Sequence, residues 1–323
     1  FEAYRVANER FADIVLEEAR EGDRVWVHDY QLMLLPAMLR KRMPSLKIGY
    51  FLHVPFPSHE VFRVLPEREQ LLAGLLDADL IGFHTFGYLR HFRSALLRGL
   101  EQESLPGSAV VGGRLVRMGV YPIGHNCAAF DHAIASPQFG EHLRELEKEF
   151  EGRRLVLSVE RLDYTKGIPQ KLASIERFLA APPERREDTV FLIIAVPSRQ
   201  SVEEYQTLTE EVQLAVGEIN GKYSTFSRQP VHFYRRGTDL VHLAALYALA
   251  DVALVTPLID GMNLVAKEYV ACRIHNDGVL ILSEFAGAAE QLRSALLVNP
   301  HDVDQVASTL ETAVEMDSDE IRR

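Results

Sequence analysis

Short apolar runs alternate with amphipathic helical stretches along this chain, and that alternation restricts its fold more than any other feature. Val25–His28, Lys47–Leu52, Leu80–Phe83 and Val116–Pro122 read as strands in the first part. Leu155–Val159, Val190–Ala195, Val231–Tyr234, Val252–Thr256, Val279–Ser283 and Ala295–Val298 read as strands in the second. Helical spacing marks residues 60–76 and 86–101, then 167–181, 200–218, 239–250, 263–272 and 286–292. Strand–helix alternation predicts an α/β chain with parallel sheets covered by helices on both faces. The pattern breaks over Gly124–Gln138, where Pro, Ser and Ala accumulate, so a domain seam is expected there. With 323 residues, two doubly wound domains with a cleft between them fit the length.

Composition narrows the function. A net charge of −11 argues against a general nucleic-acid binder, because neutralising phosphates needs a basic face. Anionic ligands must then be held by local Arg and Lys clusters. Cys127 and Cys272 are too few for a disulfide framework or a zinc site. No apolar run approaches the roughly 20 residues of a membrane span, and no signal peptide opens the chain, so a cytoplasmic setting is expected. Residue 1 is Phe, and Phe1–Arg20 already reads as an amphipathic helix leading into a buried strand. A fragment whose upstream strands are absent is the expectation.

Chemistry gathers at the carboxyl ends of the strands, where open α/β sheets hold ligands. After Val252–Thr256, Asp260-Gly-Met-Asn263 forms a turn into a helix from Leu264 to Cys272, with Glu268 one turn further on. Backbone N–H groups at that helix start suit a phosphate, and Asp260 and Glu268 suit sugar hydroxyls. Glu160-Arg-Leu-Asp-Tyr-Thr-Lys-Gly167 sets Arg161 and Lys166 on the loop after Leu155–Val159, as cations around a diphosphate. The bland alternative is a solvated loop in which Arg161 pairs with Glu160 or Asp163. Arg199 follows Val190–Ala195 and can clamp a second phosphate, or simply lie at the surface near Glu203. In the first part, Asp29 ends one strand and His53 the next. Asp29 can accept from a sugar hydroxyl and His53 can bond one, although each equally suits a satisfied polar group or a helix cap. Asp77-Ala-Asp79 mimics a metal-binding pair but reads better as helix-end charge. A glycosidase pair of Asp29 and Asp260 would leave Arg161, Lys166 and Arg199 unused.

Together, Trp26-Val-His-Asp-Tyr30, Phe51-Leu-His-Val-Pro-Phe-Pro57, Gly82-Phe-His-Thr85, Val159–Gly167, Ile219-Asn-Gly-Lys-Tyr223, Val255–Tyr269 and Leu282-Ser-Glu-Phe-Ala-Gly-Ala288 resemble the trehalose-phosphate synthase family of retaining glycosyltransferases. The resemblance spans nearly the whole chain. It implies two Rossmann-like domains of the GT-B type, the first incomplete, with the active site in the cleft, no catalytic metal and no cofactor. It implies residues 1–126 as an acceptor-side remnant, 127–299 as the nucleotide-sugar domain, and 300–323 as a helix crossing back to the first domain. The implied reaction moves glucose from UDP-glucose to glucose 6-phosphate with retention, giving trehalose 6-phosphate and UDP. By position, Arg161 and Lys166 would hold the donor diphosphate. Asp260 with Gly261, Met262, Asn263 and Leu264 would hold the transferred glucose and phosphate, and Glu268 the ribose. His53 would contact the donor glucose, Asp29 and Tyr30 the acceptor, and Arg199 the acceptor phosphate. Asp29, His53, Arg161 and Lys166 form the implied catalytic set. Partners implied are those two small molecules, with no nucleic acid and no membrane; a homo-oligomer stays open.

Two departures stand out. The family's opening Asn-Arg-Leu-Pro-like strand and Gly-rich loop are missing, so the fragment by itself can be inactive. Pro122-Ile-Gly-His-Asn126 carries His125-Asn126 where the family has an Asp. Related enzymes with another donor or acceptor (a glucosylglycerol-phosphate synthase or a cyclitol-coupling transferase), and a non-catalytic synthase-like module, remain as competing readings.

Overall fold

The computed structural model describes residues 1–181, 188–199, 201–275 and 277–322, and divides into units Phe1–Ile123 and Gly124–Arg323. The first unit holds strands β1 (Arg24–His28), β2 (Lys47–Phe51), β3 (Leu80–Phe83), β4 (Ser108–Val111) and β5 (Arg114–Val120). Their spatial order is β1-β2-β3-β5-β4, parallel except for the antiparallel β4–β5 hairpin. β4 is absent from the sequence expectation: its four residues carry no clear alternation, and the tight turn through Gly112 and Gly113, both at positive φ, creates it.

On one face of this sheet Val27, Ile48, Tyr50, Ile81, Phe83, Val116 and Met118 are buried with Leu39, Leu72, Phe92 and Leu96 from the covering helices. On the other face Trp26 is 68% exposed and Leu115 51%. Glycines lie along it, and aromatic rings lie over them. A Cβ at Gly82 would stand 2.6 Å from the Phe51 ring, and one at Gly119 2.6 Å from the Tyr121 hydroxyl. The helix expected over 60–76 is two helices, His59–Phe62 and Arg68–Leu75, interrupted around Pro66. Leu35–Arg42 adds a helix between β1 and β2.

The second unit contains β6 (Arg154–Arg161), β7 (Thr189–Val196), β8 (Val231–Tyr234), β9 (Val252–Val255), β10 (Val279–Ser283) and β11 (Leu296–Val298). Their order is β11-β10-β9-β6-β7-β8, every pair parallel. Counted from β6, this is the 3-2-1-4-5-6 order of a dinucleotide-binding sheet, with its switch point between β6 and β9. Helices cover both faces. Leu155 and Leu157 turn to one layer with Ala244, Tyr247 and Tyr269, while Val156 turns to the other with Ile168, Leu172, Ile175 and Leu310. Two-sided burial is why these strands read as continuous apolar runs.

The pattern break at 124–138 holds two helices, Cys127–Ile134 and Pro137–Glu149. Asn126 Oδ1 accepts from Ala129 N at 3.2 Å and Ser136 Oγ from Phe139 N at 3.3 Å, so the polar residues there are caps. Asn126 thus does a capping job that Asp performs equally well. Gln200, the first residue of the helix expected over 200–218, lies outside the described residues; the helix present is Glu203–Tyr223. The terminal stretch forms Val303–Glu315, packed on the helix Ile168–Leu179 and on β10 and β11, and then Ser318–Arg322; Arg323 lies outside the described residues. Among the described residues no helix is long and apolar enough to cross a membrane.

Candidate functional site

The loops after β6 and β9 meet at the switch point of the second sheet. Beyond Arg161, Asp163 Oδ1 accepts from Thr165 N at 2.9 Å and from Thr165 Oγ1 at 2.8 Å, winding Tyr164–Lys166 into one 3-10 turn. Gly167 then takes φ +64°, and a Cβ there would lie 2.8 Å from Leu258, so glycine is needed to start the helix Ile168–Leu179. The Thr165 carbonyl accepts from Leu258 N at 2.8 Å and Ile259 N at 3.3 Å, which laces the two loops together. Lys166 Nζ reaches Asp260 Oδ2 at 2.5 Å, with the two side chains 12% and 17% exposed. Asp260 also accepts from Asn263 Nδ2 at 3.1 Å.

Asn263 sits at φ +72° and caps the helix Leu264–Cys272, its Oδ1 accepting from Ala266 N at 3.1 Å. The segment Leu282–Ala288 braces this turn. Gly287 N donates to the Asp260 carbonyl at 3.1 Å and Ala288 N to the Met262 carbonyl at 2.7 Å. A Cβ at Gly287 would stand 2.1 Å from the Gly261 carbonyl oxygen. Gly261 and Met262 are buried and Leu264 half-buried, so the turn is held by packing as well as by hydrogen bonds. Glu268 follows on the same helix, its Oε2 accepting from the Tyr247 hydroxyl at 3.1 Å. Burial and then the Glu268 charge push the Tyr247 hydroxyl well above its ordinary pKa, so it remains a donor.

Arg161 is 59% exposed, and its Nη2 lies 3.8 Å from Asp163 Oδ2. Burial raises the Asp163 carboxyl, but the Thr165 hydrogen bonds and the charges of Arg161 and Lys166 bring it below its ordinary value. Glu160 does not pair with Arg161. It lies on the opposite side of the strand end and meets Lys171 Nζ at 2.5 Å, which also reaches Ser158 Oγ at 2.6 Å. Lys171 is fully buried, and burial lowers its ammonium pKa against the pull of Glu160. The sequence reading missed Lys171, although the residue stands out as the one cation in the apolar stripe Ile168, Leu172, Ile175 and Leu179.

Arg199 follows β7 at φ +45°. Its Nη1 donates to the Tyr205 hydroxyl at 3.1 Å, and Tyr205 donates to Asp163 Oδ2 at 3.3 Å, so Arg199 does not take the surface pairing with Glu203 as its only role. A cavity of about 330 Å³ beside it is lined by Leu162, Pro197, Ser198, Tyr205 and Arg235. Nothing in the sequence marks Tyr205, which lies in another helix and joins the site only through the fold.

In the first unit, Asp29 holds φ +70°, its N donates to the Phe51 carbonyl at 2.8 Å, and its Oδ1 accepts from His53 N at 3.1 Å. His53 Nε2 and His28 Nδ1 are 2.9 Å apart. Burial, with His28 adding to it and Asp29 opposing, lowers the His53 pKa and favours the neutral ring. Tyr30 is 43% exposed, its carbonyl accepting from the Tyr4 hydroxyl at 2.7 Å. Of the four non-glycine residues at positive φ among those described, Asp29, Arg199 and Asn263 are candidate site residues, which is where stored backbone strain tends to gather. Asp77 and Asp79 pair with Arg114 at 3.1 Å and Arg40 at 2.8 Å, as helix-end and strand-end charges. Among the described residues no group of three or more His, Cys, Asp or Glu side chains is arranged to hold a metal ion.

The chain matches the family model of glycosyltransferase family 20 over residues 1–323. A relative named alpha,alpha-trehalose-phosphate synthase [UDP-forming] A, from Dictyostelium discoideum, is 45% identical over 318 residues, 98% of this chain and 43% of that protein. The chain thus spans under half the length of that relative. Among solved structures, a UDP-forming alpha,alpha-trehalose-phosphate synthase from Burkholderia xenovorans in complex with glucose-6-phosphate superposes with a TM-score of 0.94 at 36% identity, covering 100% of this chain and 73% of that one. An E. coli structure bound with UDP-2-fluoro glucose superposes with a TM-score of 0.93 at 38% identity, covering 99% of this chain and 72% of that one.

Proposed function

The chain belongs to glycosyltransferase family 20, and from that premise we propose that its protein transfers glucose from UDP-glucose to glucose 6-phosphate with retention, forming trehalose 6-phosphate and UDP. The observation that carries this reading is the Lys166–Asp260 pair at 2.5 Å, which joins the β6 and β9 loops beside a capped helix start at the switch point. A cation, a carboxylate and a helix N-terminus in one place suit a sugar diphosphate. Arg161 and Lys166 hold the donor diphosphate and stabilise the charge that develops as it leaves. Asp260 and the Gly261–Leu264 turn hold the transferred glucose and its phosphate, and Glu268, fixed by Tyr247, takes the ribose hydroxyls. His53 contacts the donor glucose, Asp29 and Tyr30 the acceptor sugar, and Arg199 the acceptor phosphate. No side chain acts as a nucleophile. The bond from the anomeric carbon to the diphosphate oxygen breaks as the acceptor hydroxyl bonds to the same face, and the departing phosphate oxygen takes the hydroxyl proton.

Calorimetric titration of UDP, ADP and GDP into the protein tests the donor assignment. UDP is expected to bind most tightly, and Lys166→Ala to weaken it about tenfold or more, the scale of one charge-assisted hydrogen bond. Equal binding of the three nucleotides, or an unchanged UDP affinity in Lys166→Ala, would overturn the assignment.

A further inference from the structure

Arg161 and Arg199, assigned above to the phosphates of two different substrates, share one buried connection. Arg199 Nη1 donates to the Tyr205 hydroxyl at 3.1 Å, and the guanidinium carbon stands 5.7 Å from the centre of the same ring. That hydroxyl donates at 3.3 Å to Asp163 Oδ2, the oxygen that faces Arg161 Nη2 at 3.8 Å. The other carboxylate oxygen is already committed to Thr165 at 2.9 and 2.8 Å. Asp163 Oδ2 is therefore the point through which one arginine senses the other. Tyr205 is 5% exposed, and burial together with the Asp163 charge keeps its proton in place, so the hydroxyl accepts on one side and donates on the other. Hydrogen bonds in such a chain polarise one another.

We propose that Tyr205 is a positioning residue that couples the donor-diphosphate and acceptor-phosphate subsites, so that filling either one orders the arginine of the other. The inference rests on the roles given to Arg161 and Arg199 under the proposed function. When Arg161 turns to a diphosphate, Asp163 Oδ2 loses a cation and draws the Tyr205 proton more strongly. The Tyr205 oxygen then becomes a better acceptor for Arg199 and holds that guanidinium in one orientation for an incoming sugar phosphate. The φ of +45° at Arg199 fits a residue whose conformation is imposed by such contacts. By linkage, the acceptor must tighten the donor by the same factor.

Calorimetric titrations of UDP with and without saturating glucose 6-phosphate, and of glucose 6-phosphate with and without saturating UDP, test this in the intact wild-type protein and in Tyr205→Phe. Phenylalanine fills the same buried space and keeps the ring under Arg199 while removing only the hydroxyl. In the wild type each ligand is expected to tighten the other by one common factor of about fivefold or more. In Tyr205→Phe each ligand alone binds within about threefold of wild type, while the common factor falls toward one. A variant that keeps the wild-type factor overturns the proposal, as does a wild type that binds both ligands without mutual effect. Weaker binding of the single ligands with the factor retained marks a purely structural tyrosine and overturns it too. Failure of the wild type to bind UDP overturns the functional reading itself, and the coupling with it, which sets the two failures apart.

Discussion

Removing the Lys171 side chain is expected to destabilise the fold. Its ammonium is fully buried against Glu160 and Ser158, at 2.5 and 2.6 Å, directly behind the strand end that carries Arg161. Lys171→Met leaves the Glu160 carboxylate buried without a cation, and breaking a buried pair on one side costs about 3–5 kcal/mol. Urea denaturation measures this. Adding Glu160→Gln to Lys171→Met is expected to recover part of the loss, because the stranded charge is then gone. A single-variant loss below about 1 kcal/mol would mean that the pair is well solvated, against its burial here. At this scale the sequence shows the candidate cations and carboxylates, because strand-end positions announce them. It does not show Tyr205, whose partners Asp163 and Arg199 come from two other elements. Lys171 lies between these cases, visible only as a charge in an apolar stripe.

At the scale of elements, the strand–turn–helix unit Val252–Cys272 is legible from residues alone, since apolar β-branched runs, a capping Asn and helical spacing all agree. Its brace is less legible. After the strand Val279–Ser283, the helix expected over 286–292 forms only the 3-10 turn Gly287–Glu290, and the fold explains the small residue at its start: Gly287 must let its backbone touch that of Gly261. Gly287→Ala is therefore expected to displace the Asp260–Asn263 turn and to weaken UDP binding about tenfold, or 1.4 kcal/mol, with far-ultraviolet circular dichroism unchanged. Unaltered UDP affinity in this variant would show that the brace is dispensable. The misread elements share one cause. The β4–β5 hairpin, the caps at Asn126 and Ser136 and the break near Pro66 depend on turn chemistry within a few residues, which periodicity averages away.

The chain folds into two Rossmann-like units, each carrying its candidate residues at the carboxyl ends of parallel strands. Strand–helix alternation suffices to foresee that class, and the order β11-β10-β9-β6-β7-β8 explains why the residues proposed for the donor cluster after β6 and β9 rather than elsewhere. On the first sheet, the face that carries Trp26 leaves that ring 68% exposed. Gly49, Gly82 and Gly119 lie along that face, and the Phe51 and Tyr121 rings lie over two of them. The proposed reaction is a glucosyl transfer whose leaving diphosphate is stabilised by Arg161 and Lys166. Release of UDP from UDP-glucose by the intact protein, followed with and without glucose 6-phosphate and beside Arg161→Ala, tests it most directly. Release is expected to depend on glucose 6-phosphate and to fall at least about a hundredfold in Arg161→Ala. Release that ignores glucose 6-phosphate, or near-normal turnover in Arg161→Ala, would contradict it.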